Sequence, residues 1–210
     1  MSELNDQQRA AKWAHDLLQS GNFCILDTET TGLGNTAEIV ELALIDHEGF
    51  ELLNTRACPT VEIEPDAQAI HGITQKAVEN ASTFDQIFPL VWRWVGKKDL
   101  IIYNAEFDTR MIRQSLRPYN LHLAFPTSDR RQCRIFLGGG SIHCAMLQYA
   151  AWCGEWNNYH GNYRWQKLPG GDHSAIGDCK ATLDIIRKMA ADWPPAPEPI
   201  QEQSLDEIPF

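Results

Sequence analysis

No run of apolar residues in this 210-residue sequence approaches the roughly 20 needed to cross a bilayer. The start, Met1-Ser-Glu-Leu-Asn-Asp-Gln-Gln8, also lacks the basic-then-apolar order of a signal peptide. A soluble, cytoplasmic chain with no membrane partner is expected. No Cys-x-x-Cys pair occurs among the six cysteines (Cys24, Cys58, Cys133, Cys144, Cys153 and Cys179), and most sit among apolar neighbours. That disfavours zinc sites and disulfides and leaves reduced core residues. Basic residues are scarce, 18 Lys and Arg against 28 Asp and Glu, for a formal charge of −10. Such a balance disfavours tight, extended binding to duplex nucleic acid, which rests on basic surfaces. Glu198, Glu202, Asp206 and Glu207 supply four of those excess charges, in a segment from Trp193 to Phe210 with no Lys or Arg. Other acids belong to motifs where divalent cations would offset them, so gripping a short strand end is still allowed.

What is present is a 43% hydrophobic chain long enough to bury one good core, and a single α/β domain is expected. The spacing predicts an amphipathic helix from Asp6 to Gln19, stopped by Gly21. Phe23-Cys-Ile-Leu26 reads as a buried central strand ending at Asp27, with further strands at Ile39–Asp46 and Glu51–Cys58 turning through His47-Glu-Gly49. Short helical turns are expected at Pro65–His71 and Thr74–Asn80, and a helix at Phe84–Val95 despite Pro89. Leu100–Tyr103 is another buried strand, followed by helices at Glu106–Ser115 and Ala175–Ala191. Together these describe a mixed β-sheet flanked by helices.

Four carboxylates and a histidine stand at the ends of these elements. Asp27 and Glu29 lie in Asp27-Thr-Glu-Thr-Thr-Gly32, Asp108 in Asn104-Ala-Glu-Phe-Asp108, and His173 and Asp178 in His173-Ser-Ala-Ile-Gly-Asp178. Taken singly, each acid reads as an ordinary turn or helix-start residue. Together they fit one strand end facing two helix N-terminal turns. Residues two apart on a strand share a face, so Asp27 and Glu29 can reach one cation while Thr28 points away. Carboxylate oxygens suit Mg²⁺ or Mn²⁺. Two such ions can activate water on one side of a phosphate and stabilise the leaving oxygen on the other. His173, five residues before Asp178 on the loop entering the same helix, has the intrinsic pKa of a general base.

These residues resemble the DEDDh group of DnaQ-like 3′-to-5′ exonucleases, which share an RNase H-like fold. The resemblance covers about Phe23 to Asp192 and includes Ala69-Ile-His-Gly-Ile-Thr74, a further hallmark of the group. It implies that Asp27 bridges two ions, Glu29 and Asp178 complete one shell, Asp108 supports the other, and His173 is the base. It also implies that Leu33, Asn104 and Phe107 hold the terminal nucleotide, with Ile70 and His71 nearby and Thr30 and Gly32 lining the same substrate site. The expected reaction is hydrolysis at a nucleic acid 3′ end, DNA favoured over RNA, releasing nucleoside 5′-monophosphates. The group usually carries a helix between the segment matching Trp165–Leu168 and the third motif. Here Pro169-Gly-Gly-Asp172 leads straight to His173, so a shorter or more mobile loop is expected.

The resulting division is an N-terminal helical segment (1–22), an exonuclease domain (23–192) and a tail (193–210). Pro194-Pro-Ala-Pro-Glu-Pro199 is a stiff spacer, and the acidic stretch after it is expected to be disordered when free. Its end, Asp206-Glu-Ile-Pro-Phe210, resembles the acidic tip of bacterial single-stranded-DNA-binding proteins. That implies partner binding through Ile208, Pro209 and Phe210 to proteins that recognise such tips. Two other functions compete: an RNA exonuclease of the same fold, and a tail-mediated binding module. Elsewhere, Gly138-Gly-Gly-Ser141 lacks P-loop residues and reads as a flexible loop. His122, His143 and His160 show no metal spacing. The aromatic stretch Trp152, Trp156, Tyr159, Tyr163 and Trp165 could stack bases, but packing under an insertion is the expectation.

Overall fold

In the computed structural model, which describes residues 4–121, 133–134 and 140–194, Asn5 opens helix α1 (Asp6–Ser20) with a capping box. Its side chain accepts from the Gln8 amide at 2.8 Å, and the Gln8 side chain accepts from the Asn5 amide at 3.1 Å. Both donors would otherwise lack partners at a helix start. Gly21 ends α1 at φ +57°, a left-handed conformation that glycine adopts without strain. There follow β1 (Phe23–Thr30), β2 (Ile39–Asp46), β3 (Glu51–Cys58), α2 (Pro65–His71), α3 (Gln75–Val78), β4 (Ser82–Thr83), α4 (Phe84–Val95), β5 (Asp99–Ile102) and α5 (Ala105–Leu116). The chain continues through a 3-10 turn (Arg117–Tyr119), β6 (Cys133–Arg134), β7 (Ser141–Cys144), α6 (Ala145–Cys153), β8 (Trp156–Asn157), β9 (Asn162–Tyr163) and α7 (Ala175–Ala191).

Seven strands make one mixed sheet in the order β4-β3-β2-β1-β5-β7-β6, and β8 and β9 pair separately. Strand β1 runs antiparallel to β2 and parallel to β5, which runs parallel to β7. A central strand covered on both faces needs apolar residues at every position rather than every second one, and Phe23 to Leu26 meet that need. Cys24 and Leu26 pack with Phe84, Ile87, Val91, Met111 and Leu116 of α4 and α5. Phe23 and Ile25 pack on the other face with Leu17, Tyr149, Leu183 and Ile186 of α1, α6 and α7. Each large side chain so buried contributes about 1.5–3 kcal/mol.

Two expectations need correction, and one helix was not foreseen. Strand β1 does not stop at Asp27 but continues to Thr30, because β2 keeps pairing with it as far as Ile39 opposite Thr30, past an irregularity after Glu29. Gly138 and Gly139 of the expected flexible loop lie outside the described residues, but its last two positions are ordered: Ser141 begins β7, and Gly140 is buried against the chain before β5. A Cβ at residue 140 would lie 2.0 Å from the Lys98 carbonyl oxygen, so the close approach requires glycine. Helix α6 was not expected at all. Of the five cysteines described as free thiols, Cys24 and Cys179 are buried and Cys58, Cys144 and Cys153 only partly so. No helix among the described residues is long and apolar enough to cross a membrane.

Candidate active site

The alternation of β1 sorts the acids onto two sides of the sheet. Asp27 and Glu29 continue the face of Phe23 and Ile25, toward α7, whose first turn carries Asp178. One ligand oxygen from each of Asp27, Glu29 and Asp178 lies within 4.8 Å of the others. Asp108 is not in that trio. It is buried in the first turn of α5, and its Oδ1 accepts from the Thr28 hydroxyl at 2.7 Å. The residue expected merely to point away from the metal ligands thus anchors the fourth acid from the opposite face.

Burial and crowding leave this cluster short of positive charge. Asp27 is pushed well above the usual carboxylate range, first by desolvation and then by the charges of Asp108, Asp178, Glu29 and Glu41. Glu29 rises to about 8, again first by desolvation and then by its acidic neighbours. Burial also raises Asp108, although bonds from Thr28 oppose it. Unbalanced, convergent carboxylate oxygens fit a hard divalent cation, and the all-oxygen donor set favours Mg²⁺ or Mn²⁺ over softer ions. Such an ion must displace protons from the cluster to bind.

His173 sits on a turn that is short but firmly bonded. Its φ is +61°, and its side chain is exposed. Asp172 accepts from the Ser174 amide at 3.0 Å and from its hydroxyl at 2.7 Å through one oxygen. Ser174 in turn caps α7 by accepting from the Gly177 amide at 3.1 Å. The Asp172 carboxylate folds so closely over the helix start that a Cβ at residue 177 would meet it at 2.1 Å. Asp178 Oδ1 accepts from the Asp172 amide at 3.0 Å. Partial burial raises Asp178, while bonds from the Asp172 and His173 amides and the nearby His173 ring pull it down. The segment entering α7 is therefore a hydrogen-bonded turn joining the histidine to an acid of the trio.

The other expected site residues surround the end of β1. Leu33 and Ile70 are 73% and 58% exposed. Arg110 donates to the Leu33 carbonyl at 3.2 Å, and Gln114 donates to the Gly34 and Ala37 carbonyls at 3.1 and 2.7 Å. Helix α5 thereby fixes the Leu33 loop, while the Arg110 guanidinium lies 5.3 Å from the Phe107 ring centre. Thr30 donates to the Gly32 carbonyl at 2.8 Å. Asn104 precedes α5 without a side-chain cap bond. His71 Nδ1 accepts from the Ile73 amide at 3.0 Å, so its hydrogen is on Nε2, 3.1 Å from the Thr30 carbonyl to which it donates. Burial lowers its pKa and favours that neutral form. Ile208, Pro209, Phe210 and His122 lie outside the described residues.

An exonuclease family model matches residues 24–186. The uncharacterized exonuclease CP81 of Escherichia phage 186 is 40% identical over 194 residues, spanning 87% of this chain and 93% of that protein. The chain belongs to the DnaQ-like exonuclease family. PolC-type DNA polymerase III of Bacillus cereus is 27% identical over 85% of this chain, which covers only 12% of that polymerase. Exonuclease X in complex with 5′-overhanging duplex DNA superposes with a TM-score of 0.51 at 26% identity, over 81% of this chain and 92% of that one. Escherichia coli exonuclease I in complex with dT13 gives a TM-score of 0.60 at 18% identity, over 79% of this chain and 40% of that one, and shares the RNase H-like fold.

One further acid, outside the motifs, stands beside the trio. Glu41 lies opposite Glu29 in the β1–β2 register, and its Oε2 accepts from the Ala175 amide at 3.1 Å. It ties the first residue of α7, three before Asp178, to the sheet beside Glu29. Arg56 on β3 stands 3.8 Å from its other oxygen. The signal was an acid within the otherwise apolar run Ile39–Ile45.

Proposed function

We propose that this protein is a metal-dependent 3′-to-5′ exonuclease that hydrolyses phosphodiester bonds at single-stranded or frayed DNA ends and releases nucleoside 5′-monophosphates. The observation that carries this reading is the meeting of Asp27, Glu29 and Asp178 within 4.8 Å, in a chain of an exonuclease family. Two Mg²⁺ or Mn²⁺ ions would be held by these three and by Asp108; when bound, they supply water activation and stabilisation of the leaving oxygen. His173, exposed beside Asp178, takes the proton from the attacking water. Its turn keeps the imidazole at the mouth of the site while leaving it open to solvent. Leu33, Ile70 and Phe107 present apolar faces to the terminal nucleotide, and Asn104, Thr30, Gly32 and His71 line the same mouth. Residues 23–192 act as the nuclease domain with the 1–22 segment packed on it.

The tail, 193–210, is assigned to partner binding through Ile208, Pro209 and Phe210, where an aromatic ring and a terminal carboxylate combine. The same tail resemblance, and relatives named as DNA polymerase III, favour DNA over RNA. Matched 5′-labelled DNA and RNA oligonucleotides, incubated with Mn²⁺, test the choice. Faster shortening of DNA is expected; faster shortening of RNA would transfer the assignment to an RNA-trimming enzyme.

A further inference from the structure

Between α6 and the His173 turn, the chain holds three large aromatic side chains in water. Trp156, Tyr159 and Trp165 are 54%, 90% and 58% exposed; the expected packing holds for Trp152, which lies against the core beside Tyr149, but not for these three. Their backbone is nevertheless tightly tied. Trp156 pairs with Tyr163 across β8 and β9, ring centres 5.0 Å apart and edge to face. The Asn157 side chain accepts from the Tyr159 and His160 amides at 3.0 and 3.3 Å, and its carbonyl accepts from the Gly161 amide at 2.9 Å. The Tyr163 hydroxyl donates to Asp6 of α1 at 2.8 Å. These bonds hold the backbone that carries the rings while the rings themselves stay in water, and exposed apolar groups clustered on one segment mark an interaction surface.

Charge indicates the kind of partner. Residues 156–171 contain no Asp or Glu but carry Arg164 and Lys167, within a chain of net charge −10. The Arg164 side chain is 70% exposed even though Glu155 lies 4.0 Å away. Flat rings interleaved with cations match bases and phosphates. The segment also leads into the active site. Tyr103, just before Asn104, donates its hydroxyl to the Gln166 carbonyl at 2.7 Å. Leu168, two residues on, packs beside Gly171, whose backbone approaches Asp178.

We infer that Trp156, Tyr159 and Trp165 form a stacking track for the single-stranded polynucleotide upstream of the scissile 3′ end, with Arg164 and Lys167 contacting its phosphates. This rests on the exonuclease reading above. The test compares KM for oligo-dT of about 3 and about 12 nucleotides in the full chain with Mn²⁺, for wild type, Tyr159→Ala, Trp165→Ala and Lys167→Glu. Wild-type KM should fall with length. Each aromatic variant should raise KM for the longer strand by about fivefold or more and flatten that length dependence, acting on KM rather than kcat. Variants that keep the wild-type ratio overturn the track. So does a variant that changes the sedimentation of the protein while keeping the ratio, because that marks a protein contact instead. Should wild type cleave neither strand, the exonuclease reading fails by itself. Fluorescence anisotropy of labelled dT12 with Ca²⁺ then tests the track separately: weaker binding by Tyr159→Ala supports it, and equal binding overturns it.

Discussion

Strand β1 and the β8–β9 hairpin both carry candidate functional side chains, but they hold them by different means: those of β1 are buried or half-buried, whereas Trp156 and Tyr159 stand in water. Phe23 to Leu26 are fully buried, and the polar residues that follow inherit their directions from that burial, Asp27 and Glu29 to one face and Thr28 to the other. The hairpin buries little, and local backbone bonds with the Tyr163 tether to α1 fix its chain while leaving its exposed rings free to adjust. Metal chemistry needs carboxylates placed to fractions of an ångström, which a strand packed on both faces supplies. Contact with a polymer tolerates a surface that is oriented but adaptable. The precision of each site follows from the burial of its support.

The largest effect that would sharpen this contrast belongs to Asp27. Asp27→Asn should lower kcat by about a thousandfold or more while raising the melting temperature of the metal-free protein, because it removes one of several mutually repelling carboxylates. Retained activity would show that the trio is not the metal site. His173→Ala, measured beside it, should lower kcat by about 10²–10⁴-fold without changing the metal concentration for half activity. A shift in that concentration instead would make His173 a support of the ligands rather than the base.

Next in size is Glu41, which acts through α7. Glu41→Ala should raise the metal concentration for half activity by about tenfold, the usual scale for a residue that positions a ligand. Glu41→Gln keeps an acceptor for the Ala175 amide and should recover much of the loss. Equal defects in both variants would mean that the charge, not the hydrogen bond, is what matters.

The smallest effect is in stability. Glu29 titrates near 8 in the folded protein and near 4.5 when free, so the folded state holds a proton that the unfolded chain releases. That contribution is fully present below the unfolded value and is lost as pH rises through the folded one. The melting temperature of metal-free protein should therefore fall by about 5 °C or more between about pH 5 and about pH 8.5, and saturating Mn²⁺ should reverse the fall. A melting temperature that rises over this range would show that the carboxylates are already neutralised by groups within the protein.

The legible parts of the molecule were those fixed by short-range patterns. The apolar run before Asp27, the amphipathic stretch of α7 and the glycine stop at residue 21 announced their elements, and the spacing of Asp27 and Glu29 announced a shared face. The rest depended on partners distant in sequence. Only pairing with β2 carries β1 through Glu29 to Thr30, since those residues have no apolar pattern of their own. Helix α6 is apolar nearly all round, from Ala145 to Cys153, and so shows no helical stripe to read. The Thr28–Asp108 bond spans 80 residues and the Glu41–Ala175 bond 134, beyond any motif. Exposure of Trp156, Tyr159 and Trp165 could not be told from burial, because aromatic composition is the same for a core and for a binding surface.

A single time course tests polarity and metal dependence together. One single-stranded DNA oligonucleotide, labelled at the 5′ end in one sample and at the 3′ end in another, is incubated with Mn²⁺ and, in parallel, with EDTA. A 3′-to-5′ metal-dependent exonuclease gives a descending ladder from the 5′-labelled strand, immediate release of labelled mononucleotide from the 3′-labelled strand, and no change in EDTA. A descending ladder from the 3′-labelled strand, or equal cleavage in EDTA, would contradict that activity.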